Sequence, residues 1–277
     1  MKKTITTIIM IALVAMTAFA GGQQEGTKGN TLRVGMECAY APYNWAQSDS
    51  SNGAVPIKGS SDYAYGYDVM MAKYIAEELG MDLEIVKLDW DSLPVAVQSG
   101  SIDCGICGQS ITSERLQTLD FSTPYYYASI VALTSKSGPF ANAQGVSDLA
   151  GAVCTSQLNT IWYDICLPQI PGAKILTALE SAPAMLVSLN SGVSNLVVTD
   201  QPTALAACMA YPSMTMLDFS KSNDDFKVSE EEINIGISIR KGNSALLEKI
   251  NAALAKLTPE DFVSMMNEAI AAQPLAN

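Results

Sequence analysis

The chain has 277 residues, 48% of them hydrophobic, with 28 acidic against 16 basic side chains and a formal charge of -12. That is ample apolar material for one large or two ordinary domains, and so acidic a surface argues against nucleic acid or anionic lipid as partners. There is no histidine, which removes His-based triads, His-ligated metals and imidazole acid-base catalysis together.

Residues 1–20 read as a cleavable export signal: Lys2 and Lys3, an apolar stretch over 8–15, and the small-x-small site Ala18-Phe19-Ala20. The apolar stretch is shorter than a spanning helix needs. Residues 21–30, GGQQEGTKGN, read as a flexible tether. No cysteine precedes Cys38, so no lipid-attachment cysteine is seen. The expectation is a soluble periplasmic protein.

A first strand is predicted over 31–36, and residues 45–65, rich in Ser, Gly, Asp and Asn, read as a surface loop that could overhang a cleft. A helix over 68–79 stops at Gly80, a strand follows over 83–87, and a helix over 92–99 carries Asp91 or Ser92 as its N-cap and Pro94 in its first turn. Residues 102–127, IDCGICGQSITSERLQTLDFSTPYYY, run an apolar strand into the polar turn Gly108, Gln109, Ser110, Thr112 and then Arg115. A guanidinium there could hold a carboxylate by two parallel charge-assisted hydrogen bonds, and a helix beginning near Thr112 would add backbone donors. The β-prone run 128–134 is expected to make a first crossing into a second lobe. That lobe takes strands over 151–156, 174–177 and 195–199 and helices over 159–165, 181–190 and 201–209. The polar run 220–232 is the expected return, followed by a strand over 233–239 and helices over 244–257 and 259–272. Thr258-Pro259-Glu260-Asp261 is a strong helix start.

One unit recurs. AVQSGSIDCGICG at 96–108 and SLNSGVSNLVVTD at 188–200 each have an apolar helix end, a polar-Ser-Gly stop and an apolar strand, and reach Gly108 or Asp200 eight positions after that glycine. This predicts an α/β fold of two related lobes, each a mostly parallel sheet flanked by helices and joined by a two-strand hinge. Lobe 1 is expected over 31–127 and 224–277, lobe 2 over 128–223. Ligands bind such sheets at the carboxyl ends of the strands, which puts Arg115 from one lobe and Asp200 from the other on a common cleft. A zwitterion is the simplest guest for both. The six cysteines permit disulfides, among them a Cys38–Cys107 bridge, whereas Cys104 and Cys107 inside an apolar strand read as small buried hydrophobes.

The assembled motifs resemble the polar amino-acid-binding proteins of ABC importers, the glutamine-, histidine- and lysine/arginine/ornithine-binding group of the type II solute-binding fold. They are LRVGMECAYAPYNW (32–45), GYDVMMAKYIAEELG (66–80), DWDSLPVAVQSGSIDCGICGQSITSERLQTLDFSTPYYY (89–127), VVTDQP (197–202) and GISIRKGN (236–243). The resemblance implies that Arg115 takes a ligand carboxylate with Ser110 and the Gly108 backbone beside it, and that Asp200 takes an ammonium. It also implies that Tyr40 and Tyr67 bracket the ligand stem, that Glu37 reads the side-chain end, and that Gln157 and Thr160 belong to a turn assisting the carboxylate. Asn159 and Ile161 depart from the small residues usual in that turn. Read as residues alone, Asp200 also fits an N-cap and Glu37 a solvated acid.

The function implied is a non-enzymatic, monomeric receptor that closes on a free polar or cationic amino acid and presents it to an inner-membrane ABC permease, with no cofactor and no metal. An amino-acid dehydratase-like enzyme on the same scaffold is the alternative, with Glu37 as its acid. A sensory module would require a spanning helix and a signalling domain. An acid at Glu37 disfavours glutamate or aspartate as ligand.

Overall fold

The structure is a computed structural model that describes residues 31–274; the expected export signal and tether, 1–30, lie outside the described residues. Two five-stranded sheets share one plan. In the first, Asp82–Lys87, Thr31–Met36 and Cys104–Gly105 run parallel, and Ser238–Arg240 lies antiparallel between Cys104–Gly105 and Leu119–Phe121. In the second, Lys174–Ile175, Val153–Thr155 and Leu196–Asp200 are parallel, and Ile130–Ser135 lies antiparallel between Leu196–Asp200 and Met214–Leu217. The reversed strand of each sheet is thus the one that arrives from the other lobe.

The sequence repeat occupies equivalent places in both lobes. Helix Leu93–Ser99 ends on Gly100, whose φ of 76° closes the last turn, and the chain enters the central strand Cys104–Gly105. Helix Ala182–Asn190, with Ser181 capping its start, ends at Ser191 and leads through Gly192, also at φ 76°, into Leu196–Asp200. A left-handed residue costs glycine no Cβ clash, so the chain can reverse directly from helix to strand.

The sheets are joined by a short antiparallel pair, Tyr126–Tyr127 with Asn234–Ile235. The expected first crossing at 128–134 is only partly a connection: Ile130–Ser135 is an internal strand whose first five residues are buried. Its apolar, β-branched residues are stabilised more by sheet burial than by bridging through solvent. Along the return segment, Phe219 and Phe226 are buried against each other, ring centroids 6.3 Å apart, and the capping box of Ser229 and Glu232 opens the short helix Glu230–Ile233.

Three local expectations change. Residues 45–65 are not a plain loop; Ala39–Tyr40, Asn44–Gln47, Tyr63–Tyr65 and Val55–Pro56 form a four-stranded antiparallel sheet in that order. Trp45 and Tyr65, both buried and edge-to-face at 5.3 Å, anchor it, and Ile57 bridges to Ile85 of the first sheet. No helix starts near Thr112; the chain makes only a 3-10 turn at Arg115–Gln117, so the extra helical donors expected there do not exist. The expected helix at 159–165 is instead a π turn, Trp162–Cys166, running into a 3-10 turn, Leu167–Gln169. Pro168 cannot donate to an α-helical ladder.

All six cysteines are free thiols and five are buried, so the Cys38–Cys107 bridge is not formed. Helices Ser244–Leu254 and Pro259–Ala272 pack against Tyr67–Leu79, with the Thr258 capping box opening the last helix as its sequence required. Among the described residues no helix is long and apolar enough to cross a membrane.

Candidate functional site

The carboxyl ends of the central strands face each other across the hinge. From the first lobe, Met36 ends its strand and Glu37, Cys38 and Tyr40 follow, Cys38 holding a left-handed φ of 52°. A second loop follows Cys104–Gly105, with Gly108 at φ 66°. A Cβ at position 108 would lie 2.6 Å from a carbon of the Tyr40 ring, so glycine is required by both backbone and space. From the second lobe, Gln157, Asn159 and Thr160 follow Val153–Thr155, and Asp200 ends its strand.

A small cavity between the lobes, about 20 Å³, is lined by Glu37, Tyr40, Gly108, Ser110, Arg115, Gln157 and Thr160, with Trp90, Ile161 and Trp162 completing the wall. It opens on a wider cleft of about 700 Å³ that shares Trp90, Arg115, Thr160 and Ile161 and whose rim carries Asp91, Glu114, Asp164, Glu231 and Glu232.

Arg115 donates to the backbone carbonyls of Ser110 (2.9 Å) in its own lobe and Asn159 (2.9 Å) in the other. Its guanidinium carbon lies 5.4 Å from the centre of the Trp90 ring, a cation-π distance. Among the described residues it forms no ion pair. Desolvation lowers its pKa from the ordinary arginine value. Two of its five N–H groups are committed to carbonyls, and the rest can meet a carboxylate.

Asp200 is both N-cap and cross-cleft partner. One oxygen accepts from the Thr203 backbone N–H at 2.9 Å, starting helix Gln201–Ala210. The other accepts from the Thr203 hydroxyl at 3.1 Å and from the Tyr40 hydroxyl of the opposite lobe. The carboxyl is 1% exposed, and burial raises its pKa against the pull of these donors.

Glu37, also buried, accepts from Gln157 Nε2 at 3.2 Å, and Thr160 donates to the Gln157 carbonyl at 2.7 Å. Burial, with Asp68, Asp89 and Asp91 adding like charge, pushes the Glu37 carboxyl up to about 7 even though Gln157 favours its ionised form. Asn159, at φ 54°, donates its side-chain N–H to Asp91 at 2.7 Å, a further bond between lobes.

Of the nine residues expected in the site, seven line the small cavity; Asp200 does not, meeting it only through the Tyr40 hydroxyl, and Tyr67 stands further apart. It is fully buried behind the cleft, stacked on Tyr125 at 5.7 Å, and its hydroxyl donates to the Tyr125 carbonyl at 2.6 Å. A tyrosine whose hydroxyl is engaged, and whose ring stacks on Tyr125 and meets Tyr43 and Tyr126 edge-to-face, cannot turn to a guest without exposing a core ring. The aromatic walls are Tyr40, backed by Tyr43 at 4.7 Å, together with Trp162 and Trp90. Neither Trp90 nor Trp162 was among the expected site residues; the place of Trp162 two residues beyond Thr160, in the same turn, was the available signal.

A family model of bacterial extracellular solute-binding proteins, family 3, matches residues 32–268. The L-cystine-binding protein TcyJ of Escherichia coli (strain K12) is 25% identical over 275 residues, 96% of this chain and 94% of that one. The arginine-binding extracellular protein ArtP of Bacillus subtilis (strain 168) is 26% identical over 255 residues, covering 90% and 88%. An amino acid ABC transporter substrate-binding protein from Streptococcus pneumoniae, solved bound to L-arginine, superposes with a TM-score of 0.75 at 26% identity, covering 87% of this chain and 94% of that one. An ancestral arginine-binding protein bound to glutamine gives a TM-score of 0.70 at 30% identity over 86% and 97%. The two-lobe architecture and a family match spanning almost every described residue agree, and this chain belongs to the bacterial extracellular solute-binding proteins, family 3.

Proposed function

We propose that the protein captures a free polar or cationic L-amino acid between its lobes and, as a monomer in the periplasm after removal of its export signal, hands it to an ABC permease in the inner membrane. Family membership makes it a transport solute-binding protein and not an enzyme, which sets aside the dehydratase alternative. The observation that carries the ligand class is Arg115, a guanidinium with no ion pair among the described residues, which lines the interlobe cavity together with Tyr40, whose hydroxyl donates to the buried carboxylate Asp200 just behind that wall. In this reading Arg115, Ser110 and the Gly108 backbone take the α-carboxylate, assisted by the turn of Gln157 and Thr160. Asp200 takes the α-ammonium, Tyr40 and the tryptophans enclose the stem, and Glu37 meets the side-chain end.

Charge supports a cationic or amide side chain. Glu37, Asp68 and Asp200 are buried around the cleft and, among the described residues, none is ion-paired with a cation. A second carboxylate on the ligand would add to that repulsion, and a positive end would relieve it. Relatives that bind arginine and cystine are consistent with amino-acid ligands of this size. The inner cavity has room for about one water, so entry requires the lobes to part about the hinge pair and Tyr40 to release Asp200.

The test is a thermal-shift screen against the twenty amino acids plus ornithine and cystine, followed by calorimetry, since a ligand specific to the folded form raises its melting temperature. A cationic or amide amino acid is expected to give the largest shift, and Arg115→Ala to abolish it. Absence of a shift with every compound, or wild-type affinity in Arg115→Ala, would overturn the assignment.

A further inference from the structure

Asp68 lies in the first turn of helix Tyr67–Leu79, 0% exposed, and does not line the cavity. Its two oxygens serve different loops. Oδ2 accepts from Asn44 Nδ2 at 2.8 Å, and Asn44 Oδ1 accepts in turn from the Cys38 backbone N–H at 2.7 Å. Oδ1 accepts from the Tyr125 hydroxyl at 2.7 Å, and that hydroxyl accepts from the Gly108 backbone N–H at 3.1 Å. Cys38 sits between Glu37 and Tyr40; Gly108 precedes Ser110 and Arg115. Both relay residues, Asn44 and Tyr125, are at most 1% exposed.

The two backbone positions at the ends of these relays are the left-handed ones, Cys38 at φ 52° and Gly108 at φ 66°. A non-glycine residue in that region, as at Cys38, is strained and persists only where its surroundings over-determine it. Each relay supplies such a constraint by giving the turned N–H a fixed acceptor. Both relays reach Asp68 through donors, an amide N–H and a phenolic O–H, so the hub must accept on both sides, which an ionised carboxylate does and an amide does not.

We propose that Asp68 is a positioning residue: by terminating two hydrogen-bond relays it holds the Glu37–Tyr40 loop and the Gly108–Arg115 loop in mutual register, and through them sets the protein's affinity for its ligand. The ligand part rests on the amino-acid reading of the cleft; the loop part does not. Asp68→Asn presents an amide N–H to a relay that already points an N–H at it. Turning Asn44 round to compensate would take the acceptor from Cys38. Exchanging the pair, Asp68→Asn with Asn44→Asp, restores a donor for every acceptor. The carboxylate moved to position 44 accepts from the Cys38 N–H and from the amide N–H at position 68, and the amide oxygen at position 68 accepts from Tyr125.

The experiment measures backbone amide exchange at Cys38 and Gly108 without added amino acid, with Val197 of the second sheet as an internal reference, and calorimetric affinity for whichever panel amino acid most stabilises the wild type. In Asp68→Asn, exchange at both amides is expected to accelerate at least tenfold relative to Val197 and affinity to fall at least tenfold; the exchanged pair is expected to recover both to within about threefold. Tyr125→Phe, which removes one hydroxyl and cuts a single relay, is expected to accelerate Gly108 but not Cys38, and it keeps the proposal testable should Asp68→Asn fail to fold. Unchanged exchange at both amides in Asp68→Asn, an exchanged pair no better than the single variant, or no effect of Tyr125→Phe at Gly108 would overturn it. If no panel amino acid binds the wild type, the ligand reading fails by itself while the exchange data still decide the positioning role.

Discussion

Asp200→Asn separates the structural duty of this residue from its proposed binding duty. The amide oxygen of asparagine caps a helix about as well as aspartate, so the 2.9 Å bond from the Thr203 N–H is retained. The hydroxyls of Thr203 and Tyr40, which now donate to the second oxygen, can rotate to accept from the new N–H. The folding cost is therefore about 1 kcal/mol or less, which for a domain of this size lowers the melting temperature by roughly 2–4 °C. Binding is different, because the ligand's ammonium loses a buried charge partner at 1% exposure. Losing one side of such a pair costs about 2–5 kcal/mol, a weakening of roughly thirty- to four-thousand-fold. Calorimetry on wild type and variant, with a thermal melt of each without ligand, reads both effects. An affinity within threefold of wild type would refute the assignment of Asp200 to the ammonium. A melting temperature lower by more than about 10 °C would refute the claim that its fold role is only that of a cap.

Two further outcomes follow from the same geometry. Gly108→Ala places a methyl 2.6 Å from the Tyr40 ring at a left-handed φ and should destabilise the protein by about 1–3 kcal/mol while weakening binding more than tenfold; a stable variant with intact affinity would show that Tyr40 and Gly108 are not jointly constrained. The pH dependence has a defined sign. Glu37 holds its proton up to about 7 in the folded protein but releases it in the ordinary carboxylate range when unfolded. Between these limits the folded state binds more protons, so unliganded stability falls as pH rises from about 4.5 to 7, by about 3 kcal/mol for Glu37. Affinity for a cationic ligand rises over the same window as Glu37 ionises. Glu37→Gln should flatten both trends, and chemical denaturation and calorimetry at several pH values check them; slopes identical to wild type would remove Glu37 as their source.

The chain announces its architecture by itself. Helix stops such as Gly100 and the buried runs after them recur in both halves, and the periodicity that makes those runs apolar also commits them to sheets, so two similar lobes were legible. The Thr258 capping box was legible for the same reason: it is a local contest among groups a few residues apart. What could not be read are features created by contacts between distant segments. Residues 45–65 look polar and loose, yet Trp45 meets Tyr65 and draws them into a sheet. Tyr40 and Tyr67 look equivalent in sequence, but only the partner each finds decides that one hydroxyl reaches Asp200 across the cleft and the other turns to the Tyr125 carbonyl in the core. Asp68 looks like the first acid of an ordinary helix and becomes a buried hub because Asn44 and Tyr125, each remote in sequence, arrive beside it. Local propensity and hydrophobic pattern are properties of neighbours along the chain and settle which elements form. Hydrogen-bond partnership and desolvation are properties of neighbours in space, and they exist only once the lobes have folded.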